Sequence, residues 1–131
     1  MRKGLPHPLI LKKGAAPSKK AKHTFNYDLM KNGDWKYDKI KSPNKQMRSV
    51  WSINTPAPWE KKHGKHPTQK PFNLLERIVL SATNEDDIVL DPFTGSSTTG
   101  VAALKHGRRF VGIDMEKDYL DLSIKRINDI V

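Results

Sequence analysis

Two short stretches and one isolated acid carry the side chains best suited to chemistry. The first stretch is Asp91-Pro92-Phe93-Thr94-Gly95-Ser96-Ser97-Thr98-Thr99, which follows the apolar run Ile88-Val89-Leu90 and precedes a helical pattern. A glycine lets the backbone turn tightly and approach a ligand. Hydroxyl residues at a helix start either cap it or offer donors to an anion at its positive end. The acid is Asp114, which closes a second apolar run 19 positions beyond Gly95. A carboxylate at such a strand end can accept both hydroxyls of a ribose. The glycine loop alone is explained equally well as capping of a core helix; the loop and the strand-terminal acid together point to a nucleoside-containing ligand. The chain lacks the G-x-G-x-x-G of dinucleotide sites and the Gly-Lys-Ser/Thr ending of a triphosphate loop, which leaves a ligand that joins adenosine to a carboxylate. The second stretch is His66-Pro67-Thr68-Gln69-Lys70-Pro71.

These residues need elements to position them, and the pattern after Pro71 supplies them. Phe72, Leu75, Ile78, Val79 and Ala82 recur at spacings of three and four, so a helix is expected from the first turn at Pro71 to about residue 83. Ile88-Val89-Leu90, between acids and Pro92, reads as a buried parallel strand. Residues 98–106 read as a helix stopped by Gly107, and residues 109–113 as a second strand. Residues 116–127 read as a last helix with Leu120, Ile124 and Ile127 on one face. The order helix, strand, helix, strand, helix is one right-handed βαβ unit with flanking helices, the basic element of an open α/β sheet.

The first half differs in kind. Residues 1–70 hold 17 Lys/Arg against 4 Asp/Glu, whereas residues 71–131 hold 7 against 10. Such a basic half is either a polyanion-facing surface or a solvated lysine-rich loop, and charge alone does not choose between them. Its prolines and glycines leave room for loops and short strands. Residues 23–27 and 49–53 are the expected strands, residues 31–45 are compatible with an exposed insertion, and Phe25 and Trp51 are expected in the core. The length suits one domain, and no stretch has the ~20 apolar residues of a membrane span, so a soluble cytoplasmic protein is expected. The absence of cysteine removes thiol nucleophiles and zinc thiolates. His63-x-x-His66 lacks a third ligand cluster, so no metal is expected.

The loop at Asp91–Thr99 resembles the D-P-F-x-G-S-G-T-T motif of amino-methylating DNA methyltransferases, and His66 to Pro71 is similar to the H-P-T-Q-K-P motif of one circularly permuted group, the β-class. The resemblance covers roughly residues 20–131, with the two motifs about 20 residues apart. It implies a partial Rossmann-like, S-adenosylmethionine-dependent methyltransferase fold at residues 66–131, joined to an irregular basic target-recognition region at residues 1–65. It implies, further, that Phe93 and Gly95 shape the S-adenosylmethionine pocket, and that Ser96, Thr98 and the loop amides hold the methionine carboxylate. Thr68, Gln69 and Lys70 would close the methionine side, Asp91 would face the amino group, and Asp114 would bind the ribose. Contacts to double-stranded DNA are expected from Lys19, Lys20, Lys22, His23, Asn44, Lys45, Gln46, Arg48, Lys61, Lys62 and Lys65.

Two departures stand out. Ser97 occupies a position where the family usually has glycine, at a cost of order 1 kcal/mol if that backbone position needs positive φ. No D-P-P-Y or variant of it occurs, and in the family that motif orients the target amine and stacks on the flipped base. The expected function is methyl transfer to adenine N6, as in restriction-modification, by a fragment or subunit. The alternatives are cytosine N4, a non-catalytic cofactor- or DNA-binding fragment completed by a second chain that carries D-P-P-Y, and an RNA methyltransferase.

Overall fold

The chain is described by a computed structural model covering residues 23–130; the sequence-predicted contacts Lys19, Lys20 and Lys22 lie outside the described residues. Helix α1 spans Tyr27–Asn32, a 3-10 turn Pro58–Lys61, α2 Phe72–Ala82, strand β1 Ile88–Asp91, α3 Thr98–Lys105, β2 Arg109–Gly112 and α4 Lys117–Asn128. From α2 onward the order and bounds follow the periodicity to within a residue or two, the usual uncertainty of helix ends. Pro71 sits just outside α2 as its N-cap. The missing cap is supplied from a distance: the buried Glu60 carboxylate accepts the first helical N–H, that of Phe72, at 2.7 Å and the N–H of Ala57 at 2.9 Å.

β1 and β2 form a parallel two-stranded sheet in the register Ile88 opposite Arg109 through Asp91 opposite Gly112. Helix α3 packs on both strands and also touches α2 and α4, while α1 lies on α2. The core gathers Phe72, Val79, Val101 and Ala102, flanked by Leu75 and Ile127. Gly100 makes this layer possible, because a Cβ there would come within 2.5 Å of the Phe110 ring. The two strands pair as parallel strands, but β1 is not buried on both faces as expected. Ile88, Leu90 and Val111 are exposed because, among the described residues, the helices line only the other face.

Other expectations fail for local reasons. No strand forms at residues 23–27. Asn26 instead donates its side-chain amide to the carbonyls of Leu80 and Thr83, closing the end of α2 and starting α1 at the next residue. Phe25 is exposed, not core. Residues 49–53 form no strand; their backbone is tied to a side chain, with Ser52 N–H on Asp38 Oδ1. Residues 31–45 are not simply an exposed insertion, because Trp35 and Asp38 are buried against Arg77 of α2. On α2 Ile78 is exposed, and on α4 Ile124 is exposed while Leu122, Ser123 and Arg126 are buried. The apolar phase of α4 misled because that helix packs onto a polar loop, which polar side chains serve better.

Candidate functional site

At the end of β1 the chain turns through residues 92–97 into α3. Gly95 and Ser97 take left-handed backbone conformations, at φ 51° and 59°. These turns bring Ser96 and the start of α3 round to face the carboxyl ends of both strands, where open α/β sheets bind ligands. The first amides of α3, like those of any helix, have no intrahelical acceptor. The backbone at Ser97 does take positive φ, the condition under which a serine in place of glycine is costly, and its fully buried hydroxyl lies 2.9 Å from that of Thr94.

The loop is held from three sides. Asp91 accepts the Thr99 hydroxyl at 2.6 Å and the Phe93 N–H at 3.1 Å. Asp114 accepts the Gly95 N–H at 2.8 Å and the Glu116 N–H at 2.9 Å. Those two amides, Glu116 first, hold its carboxyl below the usual carboxylate range, with the nearby His66 helping. From α4, the Ser123 hydroxyl donates to the Gly95 carbonyl, and Arg126 Nη1 reaches the Ser96 carbonyl, the Ser96 hydroxyl and the Thr98 hydroxyl.

The second motif meets the first across a cleft of about 140 Å3 lined by Thr68, Gln69, Lys70, Asp91, Phe93, Gly95, Ser96 and Thr98, together with His66, Leu75, Thr94 and Thr99. Eight of the nine sequence-predicted cofactor residues thus share one cavity; Asp114 stands behind it, against the Gly95 amide. The His66 ring packs on Tyr119 with centroids 4.2 Å apart and lies under Gly95, where an added Cβ would meet its Nε2 at 3.2 Å. Gln69 is anchored by its amide nitrogen to the Glu60 carbonyl at 2.9 Å, while its buried Oε1 has no partner. Phe93 is 89% exposed at the rim.

His66, Arg126 and Ser123 were missed. His66 belongs to the motif itself and was legible there. Arg126 lies 30 residues from Ser96, and nothing in its neighbourhood marks it. His63 is engaged by Asp129, not by His66, and the described residues contain no group of three metal-ligating side chains.

The DNA-contact candidates fall into two groups. Asn44, Lys45, Gln46 and Arg48 are exposed along residues 39–52. Lys61 ends the 3-10 turn and Lys62 and Lys65 follow it, with Lys62 paired to Asp129 at 3.3 Å; His23 is exposed at the start of the described chain. No helix among the described residues is long and apolar enough to cross a membrane.

The chain is similar to several known DNA methyltransferases. Type II methyltransferase M2.DpnII of Streptococcus pneumoniae is 53% identical over 109 residues, 83% of this chain and 38% of that protein. DNA adenine methyltransferase YhdJ of Escherichia coli strain K12 is 40% identical over 101 residues, 77% of this chain and 33% of that protein. The chain therefore spans little more than a third of such relatives. The crystal structure of the M1.HpyAVI-SAM complex superposes with a TM-score of 0.60 at 38% identity, covering 84% of this chain and 46% of that one. It shares the α/β fold, of which the present chain holds one βαβ unit with flanking helices. The N6/N4 DNA methylase family matches residues 9–125, and the chain belongs to that family.

Proposed function

We propose that this chain is the S-adenosylmethionine-binding and DNA-facing part of a restriction-modification type DNA methyltransferase acting on adenine N6. The observation that carries the reading is the cleft where the two motifs meet. Its chemistry suits a zwitterion. The free amides at the start of α3 and the Lys70 ammonium offer donors for a carboxylate, while the unpartnered Gln69 Oε1 and the Asp91 carboxylate offer acceptors for an ammonium group. The cleft is smaller than the roughly 300–1,000 Å3 of a complete small-molecule site, which fits one end of a longer ligand. Asp114, behind the loop at the end of β2, retains lone pairs for ribose hydroxyls. When bound, S-adenosylmethionine supplies a methyl group activated on a sulfonium. The residues of this chain bind and orient it, and the transfer needs no metal. Adenine is preferred over cytosine N4 on the similarity to YhdJ, itself named an adenine methyltransferase.

In this reading residues 66–131 carry the cofactor and residues 1–65 face double-stranded DNA, in a cytoplasmic setting. The two regions are stitched together by the Asp38–Arg77 and Glu60–Phe72 bonds. A second polypeptide segment, in the same or another chain, supplies D-P-P-Y. The bare apolar face of the sheet favours this, since parallel sheets are ordinarily covered on both faces.

Calorimetry with S-adenosylmethionine, together with a methylation assay on duplex DNA, tests the proposal. Cofactor binding without methylation by the chain alone, and methylation of adenine N6 on adding a D-P-P-Y partner, is the expected result. Absence of cofactor binding overturns it, and preferential methylation of RNA or of cytosine corrects the substrate.

A further inference from the structure

Residues 39–52 leave the body of the protein and return to it beside their point of departure, and on the way Lys41 Nζ donates to the Lys31 carbonyl of α1 at 3.1 Å. Lys39 N–H donates to the Ser52 carbonyl at 3.1 Å. Asp38 Oδ1 accepts the amides of both limbs, Ile40 at 3.2 Å and Ser52 at 3.0 Å, while its Oδ2 accepts Arg77 Nη1 of α2 at 2.7 Å. Arg77 has no exposed surface, and Asp38 is 4% exposed. The guanidinium is boxed by the rings of Trp35, Tyr37 and Trp51 at 5.1, 5.3 and 4.7 Å, the last of these on the returning limb.

A buried ion pair of this kind is a poor way to gain stability, because apolar side chains of equal volume do as well or better. It is poorer still here, since Nε and Nη2 of Arg77 have no hydrogen-bond partner. What the pair does provide is geometry. One carboxylate gathers both limbs of the loop and fixes them to α2, the helix capped by Pro71 directly after the cleft-lining Lys70. Beyond this neck the loop holds Lys39, Lys41, Lys45 and Arg48 and no acid, and residues 42–46 and 48–50 are exposed.

We propose that Asp38 and Arg77 are positioning residues for DNA engagement: they seat residues 39–52 as a basic finger that grips duplex phosphates at a fixed offset from the cofactor cleft. This rests on the function proposed above. Lys45 and Arg48 are the gripping cations, and Asp38 and Arg77 act only through the finger.

The test measures binding of a random-sequence DNA duplex over a range of salt concentrations, S-adenosylmethionine affinity, and trypsin cleavage within residues 39–52. All three are read on the wild type and on three double variants. Lys45→Ala/Arg48→Ala is expected to lower DNA affinity at least tenfold and to flatten the slope of log K against log salt by about 2, close to one unit per lost phosphate contact. Cofactor affinity should stay within twofold. Asp38→Ala/Arg77→Met removes the neck without stranding a charge. It should expose the finger to trypsin and weaken DNA binding about tenfold, again with unchanged cofactor affinity. Asp38→Asn/Arg77→Met restores an acceptor for the two amides but not the tie to α2, and should recover protease resistance with only part of the DNA affinity. Unchanged DNA affinity in a folded Asp38→Ala/Arg77→Met overturns the positioning role, and if that variant fails to fold, the incomplete recovery of DNA affinity in Asp38→Asn/Arg77→Met decides it. Unchanged DNA binding in Lys45→Ala/Arg48→Ala, or tighter binding of RNA than of duplex DNA, overturns the inference with the cofactor assignment intact. Loss of cofactor binding by the wild type overturns the underlying reading instead.

Discussion

Nη1 of Arg126, near the end of α4, lies within hydrogen-bonding distance of both the carbonyl and the hydroxyl of Ser96, thirty residues earlier. One guanidinium nitrogen, buried with its helix against α3, thereby fixes the residue at which the cofactor loop turns into that helix. The site is shaped from behind by a helix that does not line it.

Replacing Arg126 by Met keeps the aliphatic stem but leaves these acceptors without their donor. Hydrogen bonds from a charged group contribute about 1.5–3 kcal/mol, so a stability loss of about 2–3 kcal/mol by denaturant unfolding is expected. S-adenosylmethionine affinity should fall at least tenfold. An unchanged affinity would show that the loop keeps its shape without α4.

Ser97 holds a left-handed conformation at φ 59° while fully buried. Glycine adopts this geometry freely, whereas an L-residue there costs about 1–2 kcal/mol. Ser97→Gly is therefore expected to be more stable than Ser97→Ala by about 1 kcal/mol, although alanine is the better helix former. Alanine keeps the strain and loses the contact with Thr94. Thermal melts of the two variants check the order.

Gly100 is helical, and in an exposed helix an alanine would be favourable by about 1 kcal/mol. Here an added Cβ would lie 2.5 Å from the Phe110 ring and 2.7 Å from the Ser97 hydroxyl. Gly100→Ala should instead lose about 1–3 kcal/mol to overpacking. Pairing it with Phe110→Leu should recover part of that loss, and additivity of the two changes would argue against the contact.

The box around Arg77 titrates at both ends of the pH scale. Burial pushes the Tyr37 hydroxyl up to about 12 from 10.0, with Glu76 adding to the effect. The neutral phenol is the form the fold favours, so its contribution is complete below pH 10.0 and is lost as pH rises toward 12. Tyrosinate absorbance should show a late step near that value, absent in Tyr37→Phe. For Asp38, burial raises the carboxyl, but the Arg77 guanidinium and the amides of Ser52 and Ile40 outweigh it and hold it below 3.8. Its contribution is present above that value and is lost as pH falls below it. Acid unfolding of Asp38→Asn/Arg77→Met should accordingly be shallower than that of the wild type.

Much of the cofactor half was legible. The apolar spacing from Phe72 onward and the punctuation at Pro92 and Gly107 marked every helix and strand there, because local periodicity and turn chemistry decide such elements. The loop and the Thr68–Lys70 segment were legible as motifs for the same reason: their residue types do chemistry at short range. In the basic half the same cues misled. The aromatic and β-branched residues at 23–27 and 49–53 favour strands, yet among the described residues no neighbouring strand pairs with them. Asn26 and Asp38 instead spend their side chains on backbone groups of distant segments.

Local chemistry along the chain sets the βαβ order, the glycine turn at Gly95, the acid at Asp114 and the two motifs, since each depends on neighbours a few positions away. Folding over long range sets the rest: Arg77 wholly buried among Trp35, Tyr37 and Trp51, Arg126 holding Ser96 and Glu60 capping α2, the two motifs meeting across the cleft, and Leu90 and Val111 left exposed. Those outcomes depend on which surfaces meet after the chain folds back over tens of residues, and a charged side chain carries no mark of the partner it will find there.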